Sequence, residues 1–485
     1  MLFNSYIFIL LFFPIAVIGY FLINRTGKYK LADIFLIGMS LWFYGYFNPS
    51  YLLVITTSIL LNYLLSKFME GLEEGALKKL VLAIGITGNA VSIFYFKYYD
   101  FFIDNINRAF GSSFALKHVV LPLGISFFTF QQMSYLADSY KGDTRDYGFV
   151  EYALFVVFFP QLIAGPIVLH NETIPQFRIE ENRYFNYDNA ARGLYVFAVG
   201  LAKKVLIADT FSQAVGWGYG NIEAMTSMDA LIVSVCYTLQ MYFDFSGYCD
   251  MASGIGYMFN ITLPQNFNSP YKATSIVDHW NRWHMSLTRF LRQYVYFPLG
   301  GSKKGKFRTY LNIMAVFTVS GIWHGANWTF IVWGMMHGLL NCLNRAGQKL
   351  WDKVHPWIQW FITFFCIDIL FIVFRSDSLS QAWQIIKKIF VFTDPSITRG
   401  LVITFKLQEF ITLEKIEFVA KVLGHLPYTW MFGFILMAFV IILRGKNMFE
   451  TEFTGSKKQM LITVVLLTWG ILSLSGVSEF LYFDF

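Results

Sequence analysis

The chain has 485 residues, of which 56% are hydrophobic, 19% aromatic and only 14% charged. A length of this kind would make about three soluble domains, but a soluble domain carries roughly 25% charged residues, and there is too little charge here to coat such surfaces. Disorder, collagen, coiled coil and a disulfide-rich secreted scaffold are excluded by the same numbers. What remains is a polytopic membrane protein, provided the apolar residues come in long runs.

They do. A helical span needs about 20 mostly apolar residues. Runs of that kind lie at 5–24, 32–48, 50–66 and 80–96, then near 119–137, 149–169, 190–208, 228–248, 311–336, 357–374, 428–443 and 459–476. The expected fold is all-α, with roughly ten to twelve membrane helices. Within it, 119–169 and 262–336 are places for re-entrant or half-crossing segments. We expect one integral-membrane domain over 1–485, with peripheral helices at 1–118 and 381–485.

The first run starts Met1-Leu2-Phe3-Asn4, with no basic segment before it and no small-residue cleavage site after it. Arg25, Lys28 and Lys30 follow it, which reads as a retained span with its N-terminus outside. The turn at 47–50 has no Lys or Arg, and 67–79 has Lys67, Lys78 and Lys79. Later basic clusters are Lys303, Lys304, Lys306 and Arg308, then Arg345, Lys349 and Lys353, then Arg444, Lys446, Lys457 and Lys458. The positive-inside rule puts all of these on the cytoplasmic side. That bias accounts for the net charge of +7 without a nucleic-acid partner.

Cys236, Cys249, Cys342 and Cys366 form no close pair and sit in or beside apolar runs, so they read as small hydrophobes and no metal site is expected. The polar stretches are 170–190, 261–310 and 393–425, the last with room for an amphipathic helix.

Polar groups inside apolar context are costly and need a reason. The richest block is Asp278-His279-Trp280-Asn281-Arg282-Trp283-His284-Met285-Ser286-Leu287, where Trp280 and His284 share a helix face. One reading is an interfacial helix with Arg282, Arg289 and Arg292 on lipid phosphates. The other is a cytoplasmic-side platform for an anionic acyl donor. The second block is Ser320-Gly321-Ile322-Trp323-His324-Gly325-Ala326-Asn327-Trp328. A neutral His324 there can act as a general base, and Gly321 and Gly325 admit a close backbone or substrate. The alternative is an imidazole that simply bonds a neighbouring helix. His337 lies in the same run; on an unbroken helix it would be roughly 220° around and about 20 Å along from His324, so the two cannot pair on one straight helix. In a third block, Asp244 and Asp250 call for structural pairing with Arg or Lys. Asp368 and Arg375, nearly aligned on one helix face, read as structural too.

These blocks resemble a known family, the membrane-bound O-acyltransferases, and within it the bacterial alginate O-acetyltransferase type. The residues that carry the resemblance are Leu121 to Gln131, Phe159 to Ile167, Gly200 to Asp209, Tyr242 to Asp250, Asp278 to Gly301, Trp323 to Trp328 and Phe374 to Leu379. They run in order through about 120–380. The resemblance implies a multi-helix membrane core with re-entrant segments around a central tunnel. It implies catalytic histidines at His284 and His324, and an acyl-thioester donor, acetyl-CoA, entering from the cytoplasm, with no tightly bound cofactor. The acetyl group would end on an exported polysaccharide through a partner acetyltransferase outside a bacterial inner or plasma membrane.

On that footing each residue type has a task. A thioester is already activated, so transfer needs an oxygen nucleophile, a base and charge stabilisation. His324 would be the base, and His284 would orient the donor or assist proton transfer. Asn327 and Trp328, beside Trp323, would donate to the oxyanion, a contact worth about 3–4 kcal/mol in other enzymes. Arg282, Trp283, Lys303, Lys304 and Arg308 would hold the donor, with Arg and Lys on its phosphates. Trp280, Asp244 and Asp250 would shape the core. The competing readings are an exporter of polysaccharide or lipid-linked sugar, a D-alanyl-transferring relative with a carrier-protein thioester, and a non-catalytic membrane scaffold.

Overall fold

The computed structural model describes residues 1–406, 427–476 and Leu481, and every regular element among them is helical. Among the described residues, four helices are long and apolar enough to cross a membrane by themselves: Ser50–Glu70, Ala76–Phe110, Pro356–Arg375 and Pro427–Arg444. The other apolar runs are helical as well, but several are broken, and the breaks make the site. The chain forms two compact units that interleave along the sequence.

The first unit comprises Met1–Gly200, Tyr248–Gln265 and Phe453–Leu474. Its helices are α1 (Phe13–Asn24), α2 (Tyr29–Gly45), α3 (Ser50–Glu70), α4 (Ala76–Ile93), α5 (Tyr99–Phe110), α6 (Ile125–Lys141), α7 (Phe149–Val157), α8 (Phe159–Leu162), α9 (His170–Arg178) and α10 (Tyr187–Ala202), together with the helix Lys457–Leu472 and the last part of Ser227–Met258. A single π-helical turn, Phe94–Tyr98, joins α4 to α5. Gly142, at φ +91°, supplies the left-handed residue that ends α6. The run 149–169 is not one helix. Phe158, at ψ 107°, turns extended just before the Phe159-Pro160 pair, and α7 stops there. The core is aromatic: Phe8, Phe12, Phe43 and Phe159 pack with Phe12 and Phe159 edge to face at 5.3 Å. Leu53, Leu60, Leu61, Leu64 and Phe68 of α3 are exposed, an outward apolar face that suits lipid and not water.

The second unit comprises Leu201–Gly247, Asn266–Glu452 and Ser475–Phe485. It contains α11 (Asp209–Gly220), the first part of α12 (Ser227–Met258), α13 (Ile276–Arg282), α14 (Met285–Leu291), α15 (Lys306–His324), α16 (Trp328–Ala346), α17 (Gln348–Trp351), α18 (Pro356–Arg375), α19 (Leu379–Val391), α20 (Arg399–Ile403) and α21 (Pro427–Arg444). Local chemistry sets the boundaries. Ser275 Oγ accepts from Asp278 N at 3.0 Å to start α13. Asn327 Oδ1 accepts from Thr329 N at 3.1 Å to start α16. Pro356 opens α18 at a position where no backbone donor is needed. The apolar run 311–336 lies in the region 262–336, where a re-entrant or half-crossing segment is the alternative to a full span. It is a helical hairpin, broken at an extended Gly325. The arms of that hairpin touch backbone to backbone. A Cβ on Gly321 would lie 2.4 Å from Phe330 O, and one on Gly334 would lie 2.4 Å from Phe317 O. Small residues permit this approach. Of the polar stretch 393–425, α20 is described; the rest of the expected amphipathic helix lies outside the described residues.

Candidate active site

The second unit gathers the sequence blocks around two imidazoles. α13 ends at Arg282, Trp283 is extended, and His284 stands at φ +44° and ψ +53° before α14 begins. A side chain other than glycine in that left-handed conformation costs energy and persists only when its surroundings hold it. They do. Asn266 O accepts from Met285 N at 2.9 Å, and Asn268 N donates to Arg282 O at 2.9 Å. Asn266 Oδ1 lies 3.1 Å from His284 Nδ1, 3.2 Å from Ser286 N and 2.9 Å from Ser286 Oγ. The His284 ring is fully buried, edge-on to Phe245 at 4.9 Å and near Trp323 at 5.9 Å.

His324 is the last residue of α15. Its buried ring contacts Trp323 at 4.9 Å, Trp333 at 5.1 Å and Phe374 at 5.4 Å. The Trp323 indole therefore lies against both imidazoles. Ser320, one helical turn before His324, has a buried hydroxyl without a hydrogen-bond partner among the described residues, and so does the Trp333 indole N–H. Each of the two has a hydrogen to donate close to the His324 imidazole. His337 is also buried, and the hairpin rather than one straight helix brings it near. Trp280 Nε1 donates to its Nδ1 at 3.1 Å, and its ring stands 4.8 Å from Trp333.

The remaining predicted residues divide by place. Arg282 bonds Asp278 at 2.8 Å and Asn268 O at 3.3 Å on the partly exposed side of α13. Trp283 is buried among Phe267, His279 and Phe371, so it shapes the wall rather than the surface. Lys303, Lys304 and Arg308 are exposed at the start of α15. That is a helix length, roughly 27 Å, from His324. Asn327 spends its amide on the α16 cap and on Asp377 O at 2.9 Å, and Trp328 is half exposed. The indole N–H of Trp333 is thus better buried than either of the two residues expected to meet an oxyanion.

Asp244 finds the cation its burial requires: Lys204 Nζ lies 2.7 Å from Asp244 and 2.7 Å from Asp209, and Leu481 N donates to Asp244 at 3.1 Å. Asp250 is buried in the first unit. Asp368 and Arg375 take separate partners. Asp368 accepts from Ser234 at 2.8 Å and Thr238 at 2.6 Å, while Arg375 stacks on Tyr219 at 4.8 Å. Sequence reasoning missed Asn266, Ser286, Ser320 and Trp333 as site residues. Asn266 had a weak signal, as one of three amides (Gln265, Asn266 and Asn268) in the Pro264–Pro270 stretch that precedes the histidine block.

Residues 50–375 match the model of MBOAT, the membrane-bound O-acyltransferase family. The chain is 37% identical to the peptidoglycan O-acetyltransferase of Helicobacter pylori, covering 100% of this chain and 98% of that one. It is 36% identical to the probable alginate O-acetylase AlgI of Pseudomonas aeruginosa, over 81% and 75% of the two chains. Similarity to the teichoic acid D-alanyltransferase of Bacillus subtilis is 29% identity over 49% and 62%. The chain is an acyltransferase, all-α and polytopic, and it belongs to the membrane-bound O-acyltransferase family.

Proposed function

We propose that this protein is a membrane O-acetyltransferase that moves an acetyl group from acetyl-CoA in the cytoplasm to a hydroxyl of an exported glycan, peptidoglycan in the first instance, across a bacterial plasma membrane. The observation that carries the reading is that two buried imidazoles, His284 and His324, flank one indole, Trp323. The full-length similarity to a peptidoglycan O-acetyltransferase supports that acceptor over alginate, whose acetylase aligns over a smaller share of both chains. In this reading an acetyltransferase outside the membrane hands the group on, and the family-matching region 120–380 works as part of one membrane domain.

His324 takes the proton of the attacking hydroxyl, a contribution of about 10²- to 10⁴-fold in rate. The Trp333 N–H and the Ser320 hydroxyl meet the developing oxyanion. His284 orients the donor or assists proton transfer. The donor is long, with phosphates at one end and a thioester at the other. It suits a chain that has exposed Lys303, Lys304 and Arg308 at one end of α15 and a buried histidine at the other. The test is transfer of labelled acetyl groups from acetyl-CoA by membranes containing the protein, with His324→Ala as control. Label in the glycan that vanishes in the variant supports the reading. Transfer of D-alanyl from a carrier-protein thioester, with no use of acetyl-CoA, would overturn it.

A further inference from the structure

The two nitrogens of a neutral imidazole are not equivalent, and the neighbours decide which one carries the proton. At His284 the neighbour is Asn266. Its Oδ1 faces the backbone N–H of Ser286 at 3.2 Å, the Ser286 hydroxyl at 2.9 Å and His284 Nδ1 at 3.1 Å. A backbone N–H can only donate, so the amide atom facing it is the oxygen and not the nitrogen. An amide oxygen can only accept. Nδ1 of His284 is therefore the protonated nitrogen, and the lone pair belongs to Nε2.

We propose that Asn266, oriented by Ser286, is a positioning residue that holds His284 in the Nδ1–H tautomer, so that His284 works as a proton acceptor through Nε2. This rests on His284 taking part in the transfer, as proposed above. It adds which nitrogen acts, and which side chain makes it so. The same asparagine also pins the backbone on which His284 stands, through the bond from Met285 N to Asn266 O at 2.9 Å. Phe245 and Trp323 are among the rings packed on His284, and neither titrates.

The step balances without a further reactant. The acceptor oxygen bonds to the acetyl carbon, and the carbon–sulfur bond breaks with its electron pair going to sulfur. His324 takes the hydroxyl proton. The proton passes to Nε2 of His284 and from there to the departing thiolate, leaving both imidazoles neutral. While His284 holds it, the imidazolium keeps its Nδ1–H on Asn266 and needs no rearrangement.

The experiment compares N266L, N266D, H284A and the double variant N266L/H284A in membranes, using acetyl-CoA as the probe and normalising to folded protein. N266L removes the acceptor and is expected to lower kcat by about 10²- to 10⁴-fold, as other tautomer-fixing residues do, with little change in the KM for acetyl-CoA. N266D keeps the acceptor and adds a charge that favours the imidazolium. It is expected to retain turnover, with the acid limb of its pH profile moved to higher pH. The double variant is expected to match H284A. If N266L and H284A lower turnover independently, so that their effects multiply, Asn266 does not act through His284 and the inference is overturned. An acid limb that stays in place in N266D overturns it as well, and that measurement stands even if N266L does not fold. Turnover like the wild type in H284A would instead remove His284 from the reaction, a different failure.

Discussion

His284 and His337 are both fully buried imidazoles that meet tryptophan rings, yet they face opposite kinds of partner. Asn266 offers His284 an oxygen, which accepts from Nδ1–H and leaves the lone pair on Nε2. Trp280 offers His337 an N–H, which occupies the lone pair on Nδ1. Burial is the same; the partner's polarity differs. On the proposed reading, one hydrogen bond separates a histidine used in chemistry from one used in architecture. His337 is a strut between α13 and α16. His284, by the same hydrogen-bond argument, carries its lone pair on Nε2.

The sharpest way to break this contrast is to remove the histidine that the contrast presupposes. His324→Ala is expected to lower acetyl transfer by about 10²- to 10⁴-fold, measured as initial rates per folded molecule. Retained turnover would leave neither neighbour with a reaction to serve. Glutamine separates the other two, since its carbonyl can still accept from Trp280 but cannot take up a proton. His284→Gln is expected to lose about 10²-fold or more in kcat, and His337→Gln to stay within about threefold. Equal losses at the two positions would show that burial, and not the partner, decides the role. Trp280→Phe leaves Nδ1 of His337 without its donor. Destabilisation by about 1–3 kcal/mol is expected as a lower thermal midpoint, with turnover per folded molecule kept. The smallest effect concerns the far end of α15. Lys303→Ala with Lys304→Ala is expected to raise the KM for acetyl-CoA by about two- to fivefold, and the difference should shrink as salt is added. A salt-independent effect would place the donor phosphates elsewhere.

The chemistry was more legible in the sequence than the path of the chain. His284 and His324 stand out because polar side chains among apolar ones demand a reason, and the glycines around His324 announce a close approach. The approach proved to be of one helix arm to the other, at Gly321 and Gly334. The pairing of Asp244 with a lysine was likewise readable from its burial. The regions 119–169 and 262–336 read as places for re-entrant segments, but the residue at which a run folds back could not be read. Hydropathy over 311–336 is the same whether Gly325 is extended or helical, and only tertiary packing selects the hairpin. Nor does spacing reveal Asn266, because it reaches His284 across a loop and not along a helix face. Trp333 carries no signal either: an indole in an apolar run looks like core, and its bare N–H is visible only once its neighbours are placed.

The glycine contact in the α15–α16 hairpin also constrains motion. With Gly321 and Gly334 in backbone contact, the hairpin has no slack at its crossing, and its two arms can only travel as one piece. His324, at the tip of the first arm, moves with Trp333 in the second. If a thioester reaches that imidazole as proposed, the room for it lies on the side of Phe374 or of the loop that carries His284 and not between the two arms.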